Sequence, residues 1–192
     1  NHKLKFGGLF IYHKFIPNVV SGKQDSVIFM PNNEKEKYAA ETALYIQDDW
    51  EIGEKWKINY GIRFSSFTQI GPYTKYARDA NGNKTDSTEY KSFEPVKTYA
   101  GFEPRFTIRY AINDETSIKA SVTRNLQYIH LVSNSGTTLP TDLWVPSTYI
   151  VQPQVSWLYA AGLFKNFHAN TYETSLQVYY KDLHHQVEYR EG

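Results

Sequence analysis

The 192-residue sequence has no cysteine and a single methionine. The absence of cysteine excludes a disulfide framework and any chemistry that needs a thiol. Long apolar runs are also missing, because the longest, such as residues 9–12 and 27–30, fall far short of the roughly 18 residues that a helical membrane span requires. The formal net charge of +1 gives no electrostatic reason to expect a nucleic-acid partner. These absences give no support to a helical membrane protein or to a nucleic-acid-binding protein.

Aromatic residues are abundant, at 16% of the chain, yet the mean hydropathy is only −0.56. Bulky apolar side chains must therefore alternate with polar ones instead of gathering in runs. Residues 56–64 show this most clearly, since apolar side chains alternate there with small or polar ones: Trp56, Ile58, Tyr60, Ile62 and Phe64 against Lys57, Asn59, Gly61 and Arg63. A period of two is typical of a β-strand with one apolar and one polar face.

The same alternation predicts about seven strands in an all-β, antiparallel, up-and-down fold. The predicted strands cover approximately residues 3–15, 38–50, 56–70, 99–112, 117–127, 156–167 and 172–181. They are joined in turn by long connections, at about residues 17–37, 71–97 and 130–155, and by tight turns near Gly53, Asn113 and Asn170. Long loops at one end and short turns at the other are the plan of a transmembrane β-barrel of the outer-membrane type.

Two local signals refine this prediction. Asn81-Gly82, near the middle of the second long connection, predicts a type I′ hairpin turn, because both residues accept positive φ. Pro104 lies inside the fourth strand and cannot donate a hydrogen bond to a neighbour, so it predicts a bulge or a missing pair there.

The apolar faces need a cover, and two covers fit. A strand from Trp56 to Ser66 that rises about 3.3 Å per residue and tilts by about 40° spans roughly 25 Å, the height of the apolar band on an outer-membrane barrel. A bilayer would cover that band. A second sheet in a soluble, aromatic-rich sandwich would also cover it, so the alternation alone leaves both folds open.

Several segments together carry a resemblance to a known family. Residues 45–50 read Tyr-Ile-Gln-Asp-Asp-Trp and residues 59–64 read Asn-Tyr-Gly-Ile-Arg-Phe, with a tight turn between them. This unit resembles a strand, turn and strand of the TonB-dependent outer-membrane receptors. Residues 103–110 resemble their next strand, and residues 139–146, 152–154 and 179–182 resemble the loop and strands that follow. The resemblance implies a barrel of about 22 strands in a bacterial outer membrane. It also implies a plug inside the barrel and energised uptake of a siderophore, cofactor or glycan.

The chain departs from that family pattern in what it contains. No segment resembles the plug or the short energy-coupling box, and about seven strands cannot close a barrel of family size. No signal peptide is recognisable either. We therefore expect residues 1–192 to be part of a barrel wall and an internal piece of a longer protein. The expected partners are membrane lipid, the remaining barrel and plug, the TonB complex through the missing N-terminal part, and a small-molecule or glycan ligand.

Charged side chains recur on the polar faces of the predicted strands: Lys57, Arg63, Glu103, Arg105, Arg109, Lys119 and Glu173. We predict that they face the barrel lumen, where they could hold a plug or steer an anionic ligand. The simpler interpretation is structural, because barrel interiors are polar in general and pair their charges.

Four aromatic residues in the long connections are the predicted ligand contacts: Tyr73, Tyr76, Trp144 and Tyr149. Such rings offer a large rigid surface with a polar handle, although they fit a loop core or an interfacial belt equally well. No metal site is predicted at His184-His185 and no catalytic pair at Asp48-Asp49, because neighbours on a strand point to opposite faces. The sequence has no nucleophile elbow, zinc-binding helix or phosphate loop, so neither an enzyme nor a cofactor is expected.

Three functions remain open from the sequence. The first is transport by a TonB-dependent receptor, and the second is a passive porin or structural barrel without a plug. The third is carbohydrate binding by a soluble sandwich. A plug encoded upstream would separate the first two, and the need for detergent would separate either from the third.

Overall fold

A computed structural model describes residues 1–16, 22–24, 27–29, 36–132, 143–168 and 171–187. Seven long strands form one antiparallel sheet, in which neighbours in the chain are neighbours in space. They are β1 (His2–Phe15), β4 (Lys37–Ile52), β5 (Trp56–Ile70), β8 (Pro95–Ala111), β9 (Thr116–Gln127), β12 (Gln154–Phe167) and β13 (Tyr172–His184). The predicted all-β, antiparallel, seven-stranded segment is confirmed. Among the residues that the structure describes, none forms a helix that could span a membrane.

Each long connection contains a short hairpin. The hairpins are β2 (Gly22–Gln24) with β3 (Val27–Phe29), β6 (Tyr73–Arg78) with β7 (Lys84–Tyr90), and β10 (Ile129–Val132) with β11 (Leu143–Pro146). All three lie at one end of the meander, and the tight turns lie at the other. Gly53, with φ of 59°, takes the left-handed conformation that the first tight turn needs. The alternation of long and short connections is confirmed, while most of the first connection and the turn residue Asn170 lie outside the described residues.

The pleat divides the sheet into two faces, and the strand register shows which residues share each one. Arg63 lies opposite Tyr45 and Glu103, while its neighbour Phe64 lies opposite Leu44 and Phe102. Opposed residues on antiparallel strands project to the same side of the sheet. The side that carries Phe64 is the apolar face, and the side that carries Arg63 is the polar face.

The apolar face exposes large side chains along its whole width. Between 44% and 77% of the surface is exposed in Phe6, Leu44, Ile62, Phe102, Leu176 and Tyr180. Aromatic rings pair across the strands on this face, with 4.4 Å between the centroids of Trp56 and Tyr110. Soluble monomers rarely expose a contiguous apolar patch larger than a few hundred Å². This face is therefore built to be covered by an apolar medium or by another protein surface.

The buried core lies on the polar face, near the long connections. Phe67 is fully buried and stacks on Tyr128, with 5.2 Å between the ring centroids. Ala39 completes the cluster, and four further residues pack around it: Phe15, Tyr99, Leu126 and Ile129. Tyr128 follows the end of β9, so the core forms where the third long connection folds back over the sheet.

Pro104 interrupts strand pairing on one side only. Towards β5 the register passes through Ile62 and Pro104 without a shift, and the irregularity between these strands comes later, between Gln69 and Ile70. Towards β9 the pairing ends at Arg105 and Thr123. The predicted missing pair is therefore confirmed on the β9 side, and β8 and β9 separate beyond it.

The β6–β7 hairpin confirms a hairpin at Asn81-Gly82, but the predicted type I′ turn is wrong. That turn needs positive φ at both central residues, whereas of the two only Gly82 has it, at 87°. Asp79 explains the difference, because its carboxylate accepts hydrogen bonds from the backbone N–H groups of Asn81 and Asn83 at 2.9 and 2.8 Å. Bonds from the Asn83 backbone and side chain also lower the pKa of Asp79. The Asp79 carboxylate therefore sets a turn that extends from residue 79 to residue 83, beyond the Asn81-Gly82 pair on which the prediction was based.

Candidate functional site

A charged network lies at the middle of the polar face. Arg63 Nε is 3.5 Å from Glu103 Oε1, and Arg63 Nη2 is 3.9 Å from Glu41 Oε1. The second Glu41 oxygen lies 3.1 Å from Nε2 of His13. Register explains the main pair, since Glu103 is the direct cross-strand partner of Arg63. Each charge is partly withdrawn from water, so losing one partner would leave the other uncompensated.

Glu103 also joins the sheet to the third long connection. Its carboxylate is buried, and its Oε1 accepts a hydrogen bond from the Ser65 hydroxyl at 2.7 Å. Its Oε2 accepts from the Leu126 backbone N–H at 3.3 Å, beyond the point where β8 and β9 stop pairing. The Ser65 and Tyr128 hydroxyls lie 2.8 Å apart and share a further hydrogen bond. A continuous chain of bonds therefore runs from Glu103 through Ser65 to Tyr128.

The described parts of the third connection, residues 128–132 and 143–153, lie across the polar face. The Tyr99 hydroxyl donates to the Thr148 carbonyl at 2.8 Å, and the Tyr149 N–H donates to Gln69 Oε1 at 3.2 Å. The Ser147 N–H donates to the Tyr128 carbonyl at 2.7 Å, and this hydrogen bond joins the two described parts of the connection to each other. Strand β11 contacts β1, which is the edge strand at the N-terminal end of the sheet. The connection therefore covers the end of the polar face that lies nearest the long connections.

His130 is buried inside this connection. Its Nε2 lies 3.3 Å from the hydroxyl of Ser147, which is itself fully buried. Burial disfavours the charged imidazolium and lowers the pKa of His130 from its usual value. The ring is therefore neutral at pH 7.

Three cations form a row at the opposite end of the polar face, near the tight turns. Lys57 is the direct cross-strand partner of Arg109, and Arg109 is the direct partner of Lys119. We call these three residues the cation row. Lys57 Nζ is 2.6 Å from Glu51 Oε1, and Arg109 Nε donates to the Ser117 hydroxyl at 3.2 Å. A cavity of about 540 Å³ opens over the row.

The seven charged residues predicted from the sequence share the polar face but fall into separate groups. Arg63 and Glu103 belong to the central network, and the cation row contains three more. Arg105 is exposed and lies opposite Gly61 and Thr123, while Glu173 is exposed and lies opposite Asn166. Their common face follows from the alternation. That they face a lumen remains a prediction.

The structure brings together two of the four predicted ligand aromatics. The rings of Tyr73 and Tyr149 meet edge to face with 5.9 Å between centroids, which links the second and third connections. Burial, followed by a hydrogen bond with Tyr149, raises the pKa of Tyr73. Tyr76 does not join this pair; the centroid of its ring lies 4.0 Å from Lys84 Nζ within the β6–β7 hairpin. The side chain of Trp144, on β11, is 59% exposed. Ligand contact at these four positions stays a prediction.

Asp48 and Asp49 diverge as predicted. Asp49 Oδ2 is 2.9 Å from Lys5 Nζ on the polar face. Asp48 lies on the apolar face, where its Oδ2 is 2.6 Å from His2 Nδ1 and accepts from the Tyr60 hydroxyl at 3.0 Å. The buried Asp48 carboxylate was not foreseen, because the alternation around it gives no sign of an acid on that face. At the other histidine candidate, His184 Nε2 lies 2.9 Å from Asp182 Oδ2. Among the residues that the structure describes, no cluster of three or more His, Cys, Asp or Glu could hold a metal.

Comparison with known proteins assigns the fold to a family. Residues 1–191 match the family model described as TonB dependent receptor-like, beta-barrel. The chain therefore belongs to the TonB-dependent receptor β-barrel family, and the sheet is a segment of such a barrel. Membership makes it part of an outer-membrane receptor or transporter in general, a class that transports rather than catalyses. Searches of curated proteins and of solved structures found no significant match to this chain.

Proposed function

We propose that the polar face lines the barrel lumen and that the apolar face meets lipid, with the long connections outside the cell and the tight turns in the periplasm. The separation of the two faces carries this proposal. One face exposes aromatic and aliphatic side chains, and the other holds the network around Arg63 and Glu103. Lipid covers the aromatic and aliphatic side chains of the first face, while water or protein solvates the second.

The receptor that contains this chain imports a siderophore, a cofactor or a glycan, with energy delivered through the TonB complex to a plug in the lumen. Family membership supports the class of function. The contact between Tyr149 and Tyr73 supports a ligand-contact region where the second and third connections meet. Tyr73, Tyr76, Trp144 and Tyr149 are the candidate ligand contacts, and the Tyr73–Tyr149 pair has the best structural support.

Uptake assays on cells with and without the full-length receptor test this function. An iron chelate, a corrinoid and an oligosaccharide serve as three labelled probes, one for each ligand class. We expect deletion of the receptor to abolish uptake of one probe and to leave the other two unchanged. Unchanged uptake of all three would contradict import of these ligand classes.

A protonophore separates energised import from a passive pore. Collapse of the proton gradient should stop uptake of the accepted probe in receptor-containing cells. Uptake that continues with the gradient collapsed would favour the porin alternative. Recovery of the receptor in the soluble fraction would favour the sandwich alternative.

A further inference from the structure

The apolar face carries a cluster of aromatic rings at its long-connection end. Lys14 and Tyr38 are cross-strand partners there, and they share the face of Leu44 because an even number of residues separates Tyr38 from Leu44 within β4. The ring centroids of Tyr12 and Tyr38 are 6.2 Å apart, and the same distance separates Tyr12 from Phe93. We call Tyr12, Tyr38 and Phe93 the rim aromatics. Phe93 follows the β6–β7 hairpin, so the end of the second connection folds back on the apolar side of the sheet.

Phe93 is held with its ring exposed. Its φ is 65°, and the residue is 73% exposed. Its N–H donates to the Gly71 carbonyl at 3.2 Å, and the Glu94 N–H donates to the Lys91 carbonyl at 3.1 Å, which fixes the turn. Positive φ is unfavourable for a bulky residue, and a phenyl ring in water gains nothing that offsets this strain. The ring is therefore placed for contact with an apolar medium at the end of the apolar face, where outer-membrane barrels carry their aromatic girdle.

A cavity of about 530 Å³ opens beside Tyr38. Carboxylates and tyrosines line it: Glu36, Glu89, Tyr38, Tyr73 and Tyr90. Glu36 is already paired, because its Oε1 lies 2.8 Å from Lys14 Nζ and its Oε2 accepts a hydrogen bond from the Tyr38 hydroxyl. The Glu89 carboxylate has no ion pair or hydrogen bond within the described ranges, and no lysine or arginine of those ranges lines the cavity. The cavity therefore holds one uncompensated negative charge.

Tyrosine rings around a free carboxylate suit an organic cation. Aromatic faces attract ammonium groups, and a carboxylate accepts charge-assisted hydrogen bonds from them. An anion inside the cavity would be repelled by Glu89. Lys14 Nζ lies next to the cavity, 6.0 Å from the centroid of the Tyr38 ring, and its side chain is about half exposed. A group that carries an ammonium beside a phosphate therefore matches Glu89 with its positive end and Lys14 with its negative end.

We propose that this cavity binds the phosphoethanolamine headgroup of a phospholipid, and we call it the rim site. The ammonium lies against Glu89, the phosphate lies near Lys14, and the acyl chains pass Phe93 onto the apolar face. The proposal rests on the lipid-facing assignment of the apolar face made above. A lipid is favoured over a free amine because Tyr38 belongs both to the cavity lining and to the rim aromatics, and a soluble ligand would leave Phe93 uncovered. The site lies outside the proposed lumen and takes no part in import.

Lipid binding by the full-length receptor in detergent micelles tests the headgroup. Native mass spectrometry gives the dissociation constants of phosphatidylethanolamine and phosphatidylglycerol that have the same acyl chains. We expect phosphatidylethanolamine to bind more tightly, because only its headgroup carries an ammonium. Free phosphoethanolamine, which has no acyl chains, should bind more weakly than the lipid. Equal binding of the two lipids would overturn the ammonium site, and equal binding of free phosphoethanolamine would overturn the lipid occupant.

Substitution of Glu89 tests the residue that carries the charge. Glu89→Gln should weaken phosphatidylethanolamine binding by about ten-fold, the effect of losing one charge-assisted hydrogen bond. It should leave phosphatidylglycerol binding no weaker, whereas a general disturbance of the hairpin would weaken both lipids. Glu173→Gln is the matched control, because Glu173 is an exposed glutamate on the polar face, opposite Asn166. Unchanged phosphatidylethanolamine binding in Glu89→Gln, or an equal loss in Glu173→Gln, would overturn the rim site.

Photo-cross-linking identifies what covers the ring of Phe93 in cells. A benzophenone analogue of phenylalanine is placed at position 93 of the full-length receptor, and the illuminated receptor is analysed by mass spectrometry. We expect a phospholipid adduct. The same analogue at position 102 is the control, because Phe102 is exposed on the apolar face. If position 102 couples to lipid while position 93 does not, the rim site is wrong and the lipid-facing assignment stands. If neither position couples to lipid, the lipid-facing assignment is wrong and the rim site with it.

Discussion

Neighbouring residues in this sheet have opposite surroundings, and Asp48 and Asp49 show the extreme case. Asp49 shares the polar face with Lys5, where a charge meets other charges and solvent. Asp48 shares the apolar face with Phe64, near the tight-turn end. His2 and Tyr60 bond its Oδ2, while its Oδ1 is buried without a hydrogen-bond partner in the described part of the chain. A charge placed further along the same face would lack these two partners, and in the proposed lipid-facing arrangement it would meet hydrocarbon.

Substitutions at Val178 and Gln177 allow the cost of a charge on the two faces to be compared. They are adjacent near the middle of β13, with Val178 exposed on the apolar face and Gln177 on the polar face. Val178→Arg should lower the unfolding free energy of the full-length receptor by about 2–4 kcal/mol if that level is mid-bilayer, because the charge enters lipid. Gln177→Arg should change it little. Denaturant titration of the receptor refolded into lipid vesicles gives both values, and equal costs would count against a lipid-facing apolar side.

Tyr128→Phe tests the hydrogen bond that holds the third connection. The substitution keeps the ring stacked on Phe67 but removes the hydroxyl that bonds Ser65. A lost neutral hydrogen bond costs about 1 kcal/mol, which corresponds to roughly five-fold faster local opening. Hydrogen exchange at the Ser147 amide measures this opening. Tyr45→Phe is the control, since Tyr45 lies on the same face away from the connection, and equal acceleration by both variants would argue against a specific role for the bond.

At the scale of elements, the strands could be predicted and the third connection could not. Alternation is local, so residues 56–64 reveal their two faces without any neighbour. The core around Phe67 depends on Tyr128, which is more than 60 residues away in the sequence. The alternation of apolar and polar residues within a strand cannot predict a contact between residues so far apart. The type I′ prediction failed for a similar reason, because the Asp79 side chain, outside the Asn81-Gly82 dipeptide, sets the turn. The common face of the seven charged residues was predictable, but the grouping into a network and a cation row needed the register.

The hairpin and the tight turns allow a test of orientation. An epitope tag inserted at Asn81-Gly82, in the β6–β7 hairpin, should be labelled by antibody on intact cells. A tag beside Gly53 should be labelled only after the outer membrane is permeabilised. Both sites lie in exposed turns, so accessibility within the fold is matched. The reverse labelling would invert the proposed topology.

The third connection should loosen as the pH falls. His130 is neutral and buried, and its pKa is lowered in the folded state, so below the unfolded value of about 6.5 the unfolded connection binds more protons than the folded one. The stabilising contribution of His130 is therefore complete above that pH and is lost as the pH falls through the folded pKa. Exchange at the Ser147 amide, corrected for intrinsic pH dependence, should accelerate in this window. His130→Asn should remove the dependence, and its persistence in that variant would assign it to another group.

At the scale of the whole molecule, β1 and β13 are the two edges of a seven-stranded sheet. An unpaired edge is a template for pairing with other chains, and the exposed apolar face adds a second surface that water does not favour. Both are covered in a closed barrel, where neighbouring strands pair with the edges and lipid meets the apolar face.

Residues 1–192 expressed alone in plain buffer should therefore aggregate or remain poorly folded. Size-exclusion chromatography and a thermal melt, with and without detergent micelles, measure this. Micelles should suppress aggregation because they cover the apolar face. A sharp monomeric peak with a cooperative melt in the absence of detergent would remove the barrel-segment interpretation and favour a soluble sandwich.

The contact between β11 and β1 also constrains the order in which the wall assembles. Every pairing within the large sheet joins strands that follow each other along the meander, so hairpins can form and add stepwise at a low cost in loop-closure entropy. The β11–β1 contact joins elements far apart in the chain, and in the sheet β4, β5, β8 and β9 lie between β1 and the point where the third connection begins. We therefore expect the third connection to close over the polar face late in folding, so that its amides gain protection from exchange only after the first five strands of the sheet are in register.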